Sequence, residues 1–443
     1  MPQSPEINAE LIDSDTDANA GSATLGFWAC WSLSVGVTVG SGIFLLPSVL
    51  ASFGTLSFLG WLVTAGGSML LALVFSRLSR RTPRSGGVYT YTRQAFGDLP
   101  GFLIAWSYWT SYWIAVPATA IAFVGYLGVF IPGLSNQPAL QAITALVLIW
   151  TSILLNIRGI KEATFVQFII TVLKILPLLL IIAIGASLGE ATNIPEFNPR
   201  ELPIMESLAT IALLTMWAFS GLETATMPAS DVKNPTKTIP KAIILGTLTV
   251  TFLYIASTAA VMSLVPAHTL IGSEAPFADA ARVAGTWGPI VIAFGALIST
   301  AGSMHGIIFI AGQLPMAVAL DGLAPRQLAK RNGGKSPYIA LLIVGVLASV
   351  LLLSNYSKSL VETFKLIITM STLATLLPLT ICALADFKYS LKSSKAWAGV
   401  AMLALIYSVF TMLGSGLEIL MWGSVLIIAG IPLYFWSRRK STH

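Results

Sequence analysis

Residues 34–47 read SVGVTVGSGIFLLP, and the reading of this run decides the fold. It lies inside the first long apolar segment, yet Gly36, Gly40 and Gly42 crowd into it, with Ser41 between the last two. Glycine is a poor interior helix residue and permits an unwound backbone. In hydrocarbon, unwound backbone survives only where it lines a protein cavity, because each free amide or carbonyl is costly there. A helix broken at that depth presents amides that hold an anion and carbonyls that hold a cation. An amino acid carries one of each. The competing reading is that these glycines only let two helices pack closely.

The surrounding composition sets the class. Of 443 residues, 55% are hydrophobic and 10% charged, with a mean hydropathy of +0.81. Soluble domains carry about 25% charged residues, so this is an all-α integral membrane protein with many spans. Cys30 and Cys382 both sit in apolar segments and suggest neither a disulfide framework nor a metal site. The net charge of +6 is no nucleic-acid footprint, because the basic residues gather in particular loops. Residues 1–24 form a polar tail with Glu6, Glu10, Asp13, Asp15 and Asp17 and no Lys or Arg. Such a segment is expected to be disordered, and it lacks the basic start of a cleaved signal peptide.

Twelve stretches of spanning length follow, at 25–50, 55–76, 99–131, 138–157, 163–187, 206–230, 238–264, 287–320, 337–354, 361–385, 396–413 and 417–437. An even number puts both termini on one side. Taking that side as cytoplasmic, the inner loops and the 438–443 tail hold most of the Lys and Arg, from Arg77 to Lys440. The outer connections hold only Arg200, Arg282 and Lys358, and Lys174 and Lys365 fall within spans. This asymmetry orients both ends inward.

The sixth stretch, LLTMWAFSGLETATMPASDVKNP, is a second interrupted helix. Each interruption opens a set of five helices, the first over 25–187 and the second over 206–386, with two more helices over 396–437. An odd-numbered set followed by its repeat must be inverted, and matched breaks in such halves mark the binding site. The basic loop after the second stretch carries Tyr89, Tyr91 and Phe96 and reads as an amphipathic segment on the inner membrane face. In the third stretch Tyr108 and Tyr112 share one face, four residues apart.

Lys174 stands 11 residues, about 16 Å, into its span. The bilayer core is about 30 Å thick, so the ammonium starts near the midplane. Ionisable groups at that depth are functional candidates, here as a proton carrier, against a lysine paired with carbonyls for packing alone. Glu223, beside the second break, is weighed in the same way. His305 has the pKa range of a proton relay, but a hydrogen-bonded structural histidine is commoner. Pro177 and Pro228 read as kinks.

Four motifs stand in order: GSGIFLLP at 40–47, PRSGGVYTYTRQAFG at 83–97, WAFSGLE at 217–223 running into DVKNPTKTIPKAI at 231–243, and AVALDGLAPRQLAK at 317–330. Together they resemble the amino acid–polyamine–organocation superfamily, and within it the basic amino acid/polyamine antiporters, from residue 25 onward. The resemblance implies a LeuT-like five-plus-five inverted repeat with two extra helices in a bacterial inner membrane. It implies alternating-access transport of an amino acid or polyamine, and it implies no cofactor. Lipid and protons are the partners expected with it, a homodimer is left open, and no nucleic acid is involved.

By position it implies that Gly40, Ser41 and Gly42 hold a substrate carboxylate, with Thr38, Tyr112, Ala218, Ser220, Ile307 and Ser371 around it. Trp217 becomes the occluding gate, Tyr108 an outer-side gate and Glu223 a proton-linked gate. Lys174 resembles the fifth-helix lysine of sodium-independent members, where an amine occupies the place of sodium. Two departures matter. Arginine-exchanging members carry an asparagine where this chain has Val116, and a tryptophan where it has Ile307. Without those guanidinium contacts, the pocket is expected to prefer a neutral or modestly sized amino acid, with a basic amino acid/polyamine exchanger as the alternative. A channel would need polar residues along whole helix faces, and here they cluster at mid-depth. An enzyme would need a nucleotide loop, metal cluster or nucleophile motif, none of which is present. A non-transporting sensor on the same fold stays open.

Overall fold

The computed structural model describes residues 25–82, 86–159, 164–226, 229–333, 336–355 and 358–441. The acidic tail over 1–24, Pro228, and basic residues such as Arg84, Lys161 and Lys335 lie outside the described residues. Among those described, the chain is helical, apart from the isolated bridges Leu25–Val232 and Gly54–Phe197.

The first apolar stretch does break where the glycines fall. Helix α1 (Phe27–Thr38) ends at Val39, whose amide still donates to Val35 O at 2.7 Å. Helix α2 (Ser41–Leu50) starts afresh after an extended Gly40. Then come α3 (Leu56–Arg81), α4 (Gly87–Phe96), α5 (Asp98–Leu127), α6 (Pro138–Ile157) and α7 (Thr164–Leu188). The second break follows α8 (Ile204–Phe219): Ser220 is extended and Gly221 has φ 103°, a left-handed conformation that favours glycine. A 3-10 turn over Leu222–Thr226 continues the chain. The sixth stretch therefore stops as an α-helix at Phe219 instead of running to residue 230.

The remainder is α9 (Pro235–Leu264), α10 (Trp287–Leu320), α11 (Tyr338–Leu353), α12 (Leu360–Ser390), α13 (Lys395–Leu413), α14 (Leu417–Ile428) and α15 (Gly430–Ser441). Helix α12 opens with a capping box, in which the Ser359 hydroxyl accepts from the Glu362 amide while the Glu362 carboxylate accepts from the Ser359 amide. Among the described residues, ten helical segments are long and apolar enough to cross a membrane, counting α1–α2 and α14–α15 as one each; α8 and α11 are apolar but shorter.

Burial separates centre from edge. The broken first segment is 89% buried in its most apolar window and α5 is 83% buried, against 11% for the segment Leu417–Ser437. Large apolar side chains such as Leu62, Val147, Phe252, Phe294 and Met421 are exposed on the outer faces, as lipid contact requires. The basic segment after α3 differs from expectation. Tyr89 and Tyr91 on α4 are buried, and Tyr89 donates to Asp321 Oδ2 at 2.5 Å. The apolar face of α4 is thus covered by protein rather than laid on the membrane surface.

Candidate functional site

The two breaks face each other. A Cβ on Gly42 would come within 3.0 Å of both the Ala218 backbone and the Trp217 ring, and one on Gly40 within 2.4 Å of Ser303 Oγ. Close backbone approach is therefore what these two glycines provide. On the other side, Ser34 donates to Leu222 O at 3.0 Å.

Breaking α1 frees carbonyls, and those of Gly36, Thr38 and Val39 find donors on neighbouring helices. Lys174 Nζ donates to Gly36 O at 2.7 Å and to Ser303 Oγ at 2.9 Å. The Tyr254 hydroxyl donates to Thr38 O at 2.7 Å. Ser303 and Ser299 both donate to Val39 O, at 3.3 and 3.4 Å. Lys174 is 1% exposed, and a Cβ on Gly302 would stand 3.2 Å from its Cε. The ammonium thus meets the freed backbone of the first break.

Between the breaks lies a cavity of about 50 Å³, large enough for a few waters or a slender chain. Thr38, Gly40, Ser41, Gly42, Tyr108, Tyr112, Trp217, Ser220, Glu223, Ile307 and Ser371 all line it. Ala218 and Lys174 are absent from the lining: Ala218 backs onto Gly42, and Lys174 lies behind Ser303. Val116 is buried outside the lining, and its neighbour Ala115 faces the cavity instead. Ser111, Ser303 and Thr375 line it as well. Helical spacing could have found the last two, since Ser303 precedes Ile307 by four residues and Thr375 follows Ser371 by four.

The polar atoms divide into engaged and open. Thr38 donates to Ser34 O, Ser371 to Ser111 O and Ser220 to Met216 O. Ser41 shares a hydrogen bond with Thr119 at 3.2 Å. Tyr112 donates to Tyr108 at 3.1 Å, and Tyr108 in turn donates to Glu223 Oε1. Glu223 Oε2 and Trp217 Nε1 are buried without a hydrogen-bond partner among the described residues. Among the lining residues these two are the buried side-chain nitrogen and oxygen atoms left unpartnered.

Tyr108 lies ten residues from the start of α5, and Thr119, which meets Ser41, lies eleven further on, about 16 Å along the axis. Tyr108 thus stands nearer the end of α5 that adjoins the basic helix α4 than Thr119 does. His305 sits away from this site, with Nδ1 3.0 Å from Asn156 Nδ2.

At the end of the bundle below Tyr108, Arg93 on α4 holds Asp98 and Asp321, each at 2.8 Å. Burial and the hydrogen bond to Asp321 push the Tyr89 phenol above its ordinary value. This cluster ties α4 to the end of α10. Among the described residues there is no grouping of His, Cys, Asp and Glu that could hold a metal.

A helical membrane protein with a cavity between two facing helix breaks is built as a carrier. The chain belongs to the amino acid permease family, whose profile matches residues 25–435. It is 30% identical to the putrescine transporter PotE of Escherichia coli K12, over 89% of this chain and 92% of that protein. It is 29% identical to an arginine/ornithine antiporter of Pseudomonas aeruginosa, over 93% and 90%. Against a cadaverine/lysine antiporter of Escherichia coli K12 the identity is 32%, over 74% of each. Family and relatives are transporters, not enzymes.

Proposed function

We propose that this chain exchanges amino acids and diamines that end in a primary ammonium group, by alternating access between the two breaks. The observation that carries the reading is Glu223 Oε2, a buried acceptor without a partner that lines the cavity. Burying a carboxylate is costly unless a cation or donor meets it, and a substrate ammonium is such a group. The carboxylate of an amino acid then falls to Ser41, Gly42 and the open Trp217 indole. Ile307 gives a guanidinium no aromatic platform, which favours a compact ammonium over arginine or agmatine. The relatives named for putrescine, for arginine and ornithine, and for cadaverine and lysine support a basic amino acid or diamine substrate, with arginine among their named substrates. A neutral, modestly sized amino acid is the second reading, favoured by Ile307 in the cavity lining.

In this reading residues 25–187 and 206–386 are inverted repeats whose breaks meet at the substrate. The protein sits in an inner membrane with both termini cytoplasmic. Exchange is sodium-independent and linked to protons, with the Lys174 ammonium on the carbonyl where sodium could sit. The test is counterflow in proteoliposomes loaded with labelled lysine or ornithine. Putrescine, cadaverine, ornithine and lysine should compete at least tenfold better than leucine, alanine or agmatine. Leucine or alanine competing best would replace this reading with the neutral one.

A further inference from the structure

A second cavity, of about 320 Å³, lies between α5, α10, α11 and α15, far larger than the substrate cavity and separate from it. Its walls include Trp106 and Trp109 on α5, Leu314 and Val318 on α10, Ile343 on α11 and Leu433 on α15. Both indole N–H groups are already spoken for. Trp109 donates at 3.0 Å to Ala311 O, the carbonyl that Pro315, four residues on, leaves without its helical donor. Trp106 donates at 2.7 Å to Leu426 O, near the end of α14. The rings therefore show the cavity only apolar faces. A cavity of this kind stays dry or takes an apolar guest.

Its mouth has the opposite character. The 3-10 turn Arg326–Ala329 crosses it, with Gln327 and Leu328 in the lining. Arg326 opens that turn and Lys330 follows it, and both are exposed, next in sequence to lining residues rather than in the lining itself. The nearby acid, Asp321, is taken by Arg93 and Tyr89. A dry apolar slot with a basic rim, at the end of a membrane bundle, fits one kind of occupant. Basic pockets between spanning helices recognise anionic headgroups. We infer that the cavity holds one acyl chain of an anionic phospholipid, with its phosphate-bearing headgroup on Arg326 and Lys330.

The test is native mass spectrometry of the purified full chain, incubated with phosphatidylglycerol and phosphatidylcholine of identical acyl chains. The protein should retain phosphatidylglycerol at least tenfold over phosphatidylcholine, and Arg326→Gln with Lys330→Gln should bring the ratio close to one. Ala324→Trp, which fills the slot, should lose the bound lipid while substrate still raises its melting temperature. If that variant does not fold, competitors decide the matter with the unaltered protein. Phosphatidylglycerol with six-carbon chains and glycerol 3-phosphate should both fail to displace the lipid. Equal retention of the two lipids, full retention in a folded Ala324→Trp protein, or displacement by glycerol 3-phosphate would overturn the inference.

Discussion

Glu223 concentrates the chemistry of the cavity in one side chain. One oxygen accepts from Tyr108, so only the other is open to substrate. Hydrogen bonds to charged groups contribute about 1.5–3 kcal/mol. Glu223→Gln should therefore weaken binding of putrescine or lysine by roughly tenfold to a hundredfold and leave leucine unaffected. Isothermal titration reads both, and an equal loss for leucine would mean that the carboxylate only supports the fold. Gly42→Val should abolish substrate binding in a protein that still inserts and folds, because its side chain would press on Trp217 and the Ala218 backbone. Undiminished affinity would move the carboxylate site elsewhere. Some of this was legible beforehand. Glycines too dense for a membrane helix announce a break, and a lysine too deep to snorkel needs freed carbonyls. That Tyr108 falls nearer the α4 end of α5 than Thr119 was open to simple counting along the helix.

Helices were legible where hydrophobic length alone decides them, and illegible where their contacts are remote in sequence. The end of the sixth helix needed the extended Ser220 and the left-handed Gly221 to be seen. Helix α4 has a clear apolar face, and periodicity cannot tell whether lipid or protein covers it. The answer came from Asp321, 232 residues from Tyr89 and 228 from Arg93. The ion pairs of that tie are more than a third exposed, so each contributes only about 0.2–1 kcal/mol. Asp321→Asn should lower the melting temperature only slightly. It should speed amide exchange in α4 by several-fold, since the buried Tyr89 hydroxyl loses its charged acceptor. Unchanged exchange in α4 would show that apolar packing alone holds this helix.

Topology and energy coupling belong to the assembled chain. Cys30 and Cys382 are buried, so an impermeant maleimide has little to react with in the unaltered protein. Lys358→Cys should label from outside intact cells, whereas Lys392→Cys should label only after permeabilisation. Both positions are exposed in the fold, and labelling of Lys392→Cys from outside would invert the orientation. Uptake into liposomes should be equal in sodium and choline buffers. It should depend on pH, and Lys174→Ala should flatten that dependence while some binding remains. The direction of the basic asymmetry could be read from sequence because it is a tally of loops. The lipid slot could not, because its walls come from four helices that no local pattern groups together.

Ser303 has a single proton to give and stands between two takers. While Lys174 is an ammonium it donates to Ser303 Oγ, and the hydroxyl proton is free for Val39 O. A neutral amine can accept that proton instead, and Val39 O is then left with the 3.4 Å bond from Ser299 alone. Deprotonation of Lys174 would thus be felt, one side chain away, as a weaker-held carbonyl at the helix break, next to where the substrate carboxylate is proposed to rest. The message needs no moving helix to begin with, only the reassignment of one hydrogen.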